Sequence, residues 1–206
     1  MKDPDFFRNI PMRKIVVSMN LSLDGFMSGP NAELDWHFEA WNEEMAEKLL
    51  EQLEKSDTLL LGRLTYEAMA GYWSVKPMEH NFPRQDQAIA DKMNGYPKIV
   101  FSKTTRIVRW HNTRFAGGKM EDEILYLRQQ QGKDMLLFGS GRLVSSFIQS
   151  DLIDEYQLWI HPVILGRGRP LFKNPHPRMN LRLTDSVLFT SGVVSLSYEV
   201  LHGTCI

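Results

Sequence analysis

Short apolar runs, separated by glycine turns and by segments of helical spacing, make up most of this chain. The first four runs are four to seven residues long, which is typical of buried strands, and lie at residues 14–20, 57–61, 98–101 and 135–138. Between them apolar residues recur at helical spacing, as in Trp41, Met45 and Leu49, which predicts amphipathic helices. The alternation of strands and helices predicts an α/β fold with a mainly parallel central sheet flanked by helices.

The last quarter of the chain has a different pattern. Residues 153–165 alternate between polar and apolar and then become apolar, which predicts a strand with a bulge or bend at Pro162. Two further strand-like segments, residues 181–190 and 193–202, flank the dipeptide Ser191-Gly192. A turn dipeptide between two such segments predicts an antiparallel C-terminal hairpin.

Two stretches are less regular. Residues 27–40 have no steady period and predict a long loop, and long ordered loops are often functional. A short strand is predicted at residues 106–110. We expect one domain over residues 12–206, preceded by a loosely ordered extension at residues 1–11.

Glycine and hydroxyl residues follow three of the predicted parallel strands. They occur in the sequences Gly62-Arg63-x-Thr65, Ser102-Lys103-Thr104 and Gly139-Ser140-Gly141. The carboxyl ends of parallel strands share one edge of a sheet, where ligands bind. A helix that begins after a glycine turn offers free N–H groups and a positive dipole end.

These groups suit a ligand that carries several phosphates. Two helix starts, one arginine and one lysine would fit an adenine dinucleotide with a 2′-phosphate. Neither Gly-x-Gly-x-x-Gly nor Gly-Lys-Ser/Thr occurs in the chain, so the Rossmann and P-loop fingerprints are absent.

The composition and the net charge indicate which kinds of molecule this protein binds. The net charge of −1, with 43% hydrophobic and 24% charged residues, is that of an ordinary globular protein and gives no electrostatic footprint for nucleic acid or an anionic membrane. No apolar run approaches the length of a spanning helix, and the first residues lack the apolar core of a secretory signal. We therefore expect a cytoplasmic protein whose partners are a small-molecule substrate and a second copy of itself.

Metal chemistry is not expected. The single cysteine, Cys205, rules out an internal disulfide and a multi-cysteine site. The six histidines are scattered without ligand spacing.

Five motifs, taken in order, resemble a known superfamily. They are Ser22-Leu23-Asp24-Gly25-Phe26, Leu61-Gly62-Arg63-x-Thr65-Tyr66-Glu67, Phe101-Ser102-Lys103-Thr104, Phe138-Gly139-Ser140-Gly141 and Pro162-Val163-Ile164-Leu165-Gly166. Over residues 13–201 the chain resembles the dihydrofolate-reductase-like superfamily. Within it, the chain is most similar to the C-terminal reductase domain of the bifunctional riboflavin-biosynthesis deaminase/reductase and its stand-alone relatives.

This resemblance implies a dihydrofolate-reductase-like fold and an NADPH-dependent oxidoreductase, often a homodimer. It implies that the cofactor is bound by Gly62, Arg63, Thr65, Ser102, Lys103, Gly139, Ser140 and Gly141. Ser102 and Lys103 would lie by the 2′-phosphate, and the glycines by the pyrophosphate. Asp24 and the loop around Trp36 would face the substrate, with Asp24 as the catalytic candidate. The implied reaction is reduction of 5-amino-6-(5-phosphoribosylamino)uracil in riboflavin biosynthesis.

Alternatives remain open at this point. Asp24 either orients substrate and relays a proton or forms a turn, since Asp-Gly is a common turn dipeptide. Trp36 either stacks on a flat heterocycle or covers the core under its loop. Glu67 lies at i+4 from Arg63, which favours a local ion pair.

The sequence disfavours two other functions. A folate or pterin reductase is disfavoured because the first long helix carries no clear match to the pterin-facing carboxylate of dihydrofolate reductase. A zinc deaminase module is excluded by the single cysteine. The remaining alternative is a dimeric nucleotide-binding module without catalysis.

Overall fold

The computed structural model describes residues 12–75, 82–104, 107–172 and 178–202. The predicted extension at residues 1–11 lies outside these ranges. Ten strands are present in the described part of the chain: β1 Ile15–Ser22, β2 Phe26–Ser28, β3 Ser56–Gly62, β4 Lys98–Phe101, β5 Thr113–Phe115, β6 Asp134–Leu137, β7 Glu155–His161, β8 Arg169–Pro170, β9 Leu181–Leu188 and β10 Val194–Val200. The helices are α1 Asp35–Phe38, α2 Glu43–Glu54, α3 Arg63–Trp73, α4 Arg84–Gly95, α5 Met120–Arg128 and α6 Gly141–Gln149.

Eight strands form one sheet in the order β5-β4-β3-β6-β1-β7-β10-β9. The pairs from β5 to β7 are parallel, whereas β10 is antiparallel to both β7 and β9. Strands β2 and β8 form a separate two-stranded sheet. The predicted α/β architecture with an antiparallel C-terminal hairpin is therefore present, and the hairpin turns at Gly192, whose φ is +84°.

Both faces of the sheet are covered by helices. Buried residues of α5 and α6, such as Ile124 and Phe147, pack in one hydrophobic cluster. Residues of α2, α3 and α4, such as Leu53, Tyr66 and Ile89, pack in a second cluster on the other face. In the described part of the chain, no helix is long and apolar enough to cross a membrane.

The strand predicted at residues 106–110 is not formed by its described residues. Instead, the backbone N–H groups of Arg109 and Trp110 donate to the Tyr66 hydroxyl over 2.8 and 3.0 Å, and the ring of Trp110 is buried. The edge strand follows at Thr113–Phe115. A buried tyrosine has therefore replaced a neighbouring strand as the hydrogen-bond partner of this segment.

Two other predicted elements differ from those in the structure. Strand β7 ends at His161, so Pro162 terminates the strand instead of bending it. The long loop at residues 27–40 contains the one-turn helix α1 and the end of β2.

A buried lysine stabilises the connection between α4 and β4 through hydrogen bonds. Lys98 is fully buried, and its Nζ donates to the carbonyls of Asn94, Tyr96 and His111 over 2.7 to 3.3 Å. It also lies 4.4 Å from the ring centre of Trp110. Burial lowers the pKa of Lys98 to about 8. These contacts fix the start of β4, whose other end forms part of the candidate site.

Candidate active site

Helices α3 and α6 begin side by side at the carboxyl edge of the sheet. The N–H of Gly62 donates to the carbonyl of Gly139 over 2.6 Å. A side chain on Gly62 would place its Cβ 2.8 Å from both the N and the Oγ of Ser140. Two of the three sequence segments predicted to bind phosphate are thus in direct contact, and the contact requires glycine at position 62.

The starts of these two helices have neither a side-chain cap nor an acidic residue in the first turn. Neither Gly62 nor Ser140, the N-cap residues, makes a side-chain capping hydrogen bond, and neither first turn contains an acidic residue. Acidic residues do occupy the first turns of α2, α4 and α5. Free N–H groups and an uncompensated dipole at two adjacent helix starts favour an anion.

The remaining residues of this edge lie around the same point. The Oγ1 of Thr65 is 3.4 Å from where a Cβ on Gly139 would be, and Gly139 has a φ of +108°, which favours glycine. Gly141 is buried against the end of the Met27 side chain, which a Cβ at this position would displace. Thr65 and the glycines therefore line one surface.

The third predicted segment extends this surface toward the sheet edge. Phe101 pairs with Gly62, so Ser102, which follows β4, lies at the same edge of the sheet as Arg63, which follows β3. Ser102 is half-buried and Lys103 is exposed. Cationic and hydroxyl groups thus flank the start of α3.

Arg63 makes the local ion pair that the spacing predicts. Its Nη1 lies 3.1 Å from both carboxylate oxygens of Glu67, and both side chains are about two-fifths exposed. A cavity of about 20 Å³, roughly one water molecule in size, is lined here by Arg63, Tyr66, Glu67, Ile107, Arg109 and Phe115. Arg109, which no motif in the sequence indicates, lines this cavity together with Arg63.

Asp24 joins two loops. Its carboxylate accepts hydrogen bonds from the Ser22 hydroxyl at 2.6 Å and from the N–H groups of Leu165 and Gly166 at 3.2 and 2.8 Å. The hydroxyl of Ser22 and these backbone donors hold the pKa of Asp24 below its usual range. Asp24 is thus an exposed anion that connects the end of β1 to the loop after β7.

Trp36 lies in helix α1 against His161 at the end of β7. Its ring is 5.2 Å from that of His161 and 5.6 Å from that of His37, both edge-on. His161 is buried, and its Nε2 lies 2.9 Å from the Oδ1 of Asn20. Burial, with His37 nearby, lowers the pKa of His161 to about 4, and burial also lowers the pKa of His37.

Sequence reasoning missed His37, His161 and Asn20. A signal was present in β1, where Ser18, Asn20 and Ser22 alternate with apolar residues. Such alternation places the polar side chains on one face of a strand. The scattered histidines lack metal-ligand spacing, but a buried histidine has other roles in proteins.

A buried carboxylate lies at the same edge. Helices α2 and α4 each lead directly into the start of a strand, so their first residues lie at the carboxyl edge. Here Trp41 Nε1 donates to Asp86 over 3.2 Å, and burial raises the pKa of Asp86. Glu44 instead accepts from the N–H and hydroxyl of Thr190.

Comparison with known proteins identifies the class of domain. The profile of the RibD C-terminal domain family matches residues 13–195, and the chain belongs to this family. It is 32% identical to the uncharacterized protein YyaP of Bacillus subtilis strain 168 over 191 residues, which cover 93% of this chain and 97% of YyaP. The resemblance noted in the sequence is thereby confirmed, and the domain is of the riboflavin-pathway reductase type.

Solved structures confirm the fold. A protein of Shewanella sp. PV-4 named for riboflavin biosynthesis aligns with a TM-score of 0.71 at 22% identity, covering 92% of this chain and 99% of that protein. The dihydrofolate reductase of Enterococcus faecalis, solved with NADP(H), aligns with a TM-score of 0.55 at 13% identity, covering 91% of this chain and 96% of the enzyme. The predicted dihydrofolate-reductase-like fold class is therefore correct.

Proposed function

We propose that this protein is an NADPH-dependent reductase that acts on a small heterocyclic or phosphoribosylated substrate. The observation that carries the proposal is the pair of adjacent helix starts, α3 and α6, that lack both caps and acidic residues. They are joined by the contact between Gly62 and Gly139. An anion with two linked phosphates would satisfy both helix starts at once.

The residues of this edge fit NADPH. Gly62, Thr65 and the Gly139-Ser140-Gly141 turn would receive the pyrophosphate through backbone N–H groups and hydroxyls. Ser102, Lys103 and Arg63 would bind the 2′-phosphate with charge-assisted hydrogen bonds. The dihydrofolate reductase of similar fold was solved with NADP(H), which supports the same cofactor class here. NADPH supplies the hydride, and the protein supplies position and electrostatics.

Asp24 and Trp36 are proposed to face the substrate. The low pKa of Asp24 suits an anion that orients a loop or a substrate more than an acid that releases a proton. The candidate substrate is 5-amino-6-(5-phosphoribosylamino)uracil, which the family resemblance implies. Loss of nicotinamide absorbance in its presence, above the rate without substrate, tests this assignment.

Cofactor binding is tested by titrating the protein with NADPH and NADH while following tryptophan fluorescence. We expect NADPH to bind at least about tenfold more tightly, with Arg63→Ala or Lys103→Ala removing most of that difference. Lys133→Ala is the matched control, because Lys133 lies before β6 at the opposite edge and donates to the Glu54 carbonyl. Equal affinity for the two nucleotides, or none for either, would contradict the proposal.

A nucleotide-binding module without catalysis is the second candidate. Three donors bind the Asp24 carboxylate, which favours this candidate. A carboxylate that joins two loops need not take part in catalysis. NADPH binding without oxidation by the uracil substrate or by dihydrofolate would support this candidate.

We also propose a cytoplasmic homodimer that uses the β9 edge of the sheet. Among the described residues no strand pairs with the outer side of β9, where Leu183 is 51% and Leu188 is 75% exposed. Exposed apolar residues on an edge strand favour pairing with another chain. Light scattering should report about twice the chain mass of 23.9 kDa.

A further inference from the structure

The small cavity beside helix α3 has an excess of positive charge. Two arginines, Arg63 and Arg109, line it together with one carboxylate, that of Glu67. Glu67 pairs with Arg63, whose Nη1 lies 3.1 Å from its carboxylate. Arg109 is exposed, and among the described residues no ion pair engages its guanidinium. One uncompensated cation beside a neutralised pair leaves a net positive charge that attracts an anion.

Arg109 belongs to a segment that a buried hydroxyl holds in place. Residues 107–112 form neither a helix nor a strand. The N–H groups of Arg109 and Trp110 donate instead to the hydroxyl of Tyr66, which is 1% exposed. One hydroxyl oxygen can accept both bonds because it has two lone pairs. The side chain of Tyr66, which also lines the cavity, therefore determines where the backbone of Arg109 lies.

The ammonium group of Lys98 holds the other end of the same segment. Its Nζ donates to the carbonyl of His111 over 3.3 Å and lies 4.4 Å from the ring centre of Trp110. Its two other bonds go to the carbonyls of Asn94 and Tyr96, over 2.7 and 2.8 Å. An ammonium group has three donors, so all three carbonyls have a partner only while Lys98 is protonated. Loss of the proton leaves two donors for three acceptors and removes the cation–π contact.

No charged group compensates Lys98 among the described residues. Burial lowers its pKa to about 8, so it loses its proton between pH 7 and pH 9. The elements around it are helix α4, strands β3 and β5 and residues 107–112. Their titratable side chains are exposed or have other partners: Asp91 accepts from Gln87, Lys92 lies over the ring of Tyr96, the Tyr96 hydroxyl donates to Leu53, Asp57 and Arg114 pair with Arg13 and Glu123, and His111 is exposed.

We propose that Arg109 determines specificity for the 2′-phosphate that distinguishes NADPH from NADH, and that Tyr66 and Lys98 are positioning residues that hold Arg109 at the cavity. The inference rests on the proposed reductase function for the identity of the ligand. Arg109 adds a second guanidinium to the phosphate site, next to the one that Glu67 partly neutralises. Tyr66 and Lys98 act through the backbone of residues 107–112 without touching the nucleotide.

Titrations with NADPH and NADH test the roles of Arg109 and Tyr66. Arg109→Ala should weaken NADPH binding at least about fivefold and leave NADH binding within about twofold. Tyr66→Phe, which keeps the ring and loses the acceptor, should have the same selective effect. The double variant should bind NADPH no more weakly than Arg109→Ala, because Tyr66 acts only through Arg109. Lys133→Ala, at the opposite edge of the sheet, controls for the loss of a surface cation.

A pH profile isolates Lys98. The 2′-phosphate keeps its charge above pH 7, since the second pKa of a phosphate monoester is about 6. We expect NADPH affinity to fall at least about threefold from pH 7 to pH 9 at fixed ionic strength, with NADH affinity constant. Lys98→Met, which neither donates nor titrates, should bind NADPH weakly at both pH values, and His111→Gln should keep the profile.

Unfolding would not explain such a loss of affinity. Above pH 8 the unfolded chain keeps a proton on Lys98 that the folded chain has released, because the folded pKa is the lower one. The contribution of Lys98 to the free energy of unfolding therefore increases with pH over this range. Urea unfolding at pH 7 and pH 9 checks that the protein is folded at both.

Hydrogen exchange without nucleotide reads the positioning role directly. At pH 7 the amides of Arg109 and Trp110 should exchange at least about tenfold faster in Tyr66→Phe, and faster in Lys98→Met, than in the unchanged protein. Unchanged exchange, additive losses in the double variant, or the same pH profile in Lys98→Met would overturn the positioning roles. A preference for NADPH that survives Arg109→Ala would overturn the inference and leave the reductase proposal intact. If neither nucleotide binds, both fail.

Discussion

The N–H of Gly62 meets the carbonyl of Gly139 at 2.6 Å, so the first turn of α3 and the turn before α6 form one surface. Gly62 itself has an ordinary φ of −79°, and the requirement for glycine is therefore steric. A methyl group at this position would separate the two turns.

Gly62→Ala should therefore weaken NADPH binding at least about tenfold, because its Cβ would displace Ser140 from 2.8 Å. Gly71→Ala is a control within the same helix. Nothing lies within 4 Å of a Cβ at Gly71, so the change should leave NADPH affinity intact and stabilise the fold by about 0.5–1 kcal/mol. Fluorescence titration and urea unfolding measure the two effects. Equal affinity in both variants would show that the contact has no part in binding.

Release of Arg63 from its ion pair should strengthen cofactor binding. Glu67→Gln removes the carboxylate that lies 3.1 Å from the guanidinium. We expect NADPH to bind roughly two- to fivefold more tightly, with a steeper loss of affinity as salt is added, because the freed cation is available to phosphate. Titrations at low and high salt measure this. A weaker affinity would mean that Glu67 positions Arg63 for the ligand.

Asp24→Asn should impair substrate turnover but not cofactor binding. The amide keeps one acceptor oxygen and cannot serve both Leu165 and Gly166 as the carboxylate does. We expect faster hydrogen exchange at residues 163–168, NADPH affinity within about twofold, and turnover at least about tenfold lower. Turnover equal to that of the unchanged enzyme would remove Asp24 from the proposed substrate side.

The free energy of unfolding should decrease in mild acid because the fold lowers the pKa of His161. Its pKa is about 4 in the fold, below the value of 6.5 for an unperturbed histidine. As pH falls from 7 toward 4 the unfolded chain binds a proton that the folded one does not, so the free energy of unfolding decreases. The contribution is about 2 kcal/mol between pH 7 and pH 5, and His37 acts in the same direction.

Urea unfolding at the two pH values measures this loss. His161→Gln should reduce the difference between pH 7 and pH 5 by most of that amount. His111→Gln, at an exposed position, should leave it unchanged. An unaltered difference in His161→Gln would assign the acid sensitivity to other groups.

The dimer proposal depends on the outer side of β9. Leu188→Asp places a charge on a side chain that is 75% exposed, so a monomer should tolerate it. We expect light scattering to shift from the dimer mass to 23.9 kDa while NADPH affinity stays the same. Leu125→Asp, at an exposed leucine of α5, would control for charge on the surface in general.

Elements that are defined by the residues within them could be predicted from the sequence. Strand β4 has the predicted bounds, Lys98–Phe101, because a short aliphatic run between turn residues has few other uses. The convergence of Gly62 and Gly139 followed from the rule that parallel strands end at one edge. These were consequences of spacing along the chain.

Other features depend on residues far apart in sequence. The segment that ends at Trp110 does not form the predicted strand. The N–H of Trp110 donates instead to the hydroxyl of Tyr66, which is 44 positions away in the sequence. The engagement of Asp24 by Leu165 and Gly166 spans more than 140 positions. His161 was missed for the same reason, since its neighbours Trp36 and Asn20 reach it only through the fold.

The alternation along β1 has a consequence for how the sheet assembles. Ser18 and Asn20 face the side of α2, where Ser18 bonds to Gln52, and Val17 and Met19 face the aliphatic cluster on the other side. A shift of one residue against β6 or β7 would exchange the two sets, placing hydroxyl and amide groups among aliphatic side chains. Ser18 and Asn20 therefore favour the native alignment of β1 during folding, and we expect a uniformly aliphatic β1 to misalign more often.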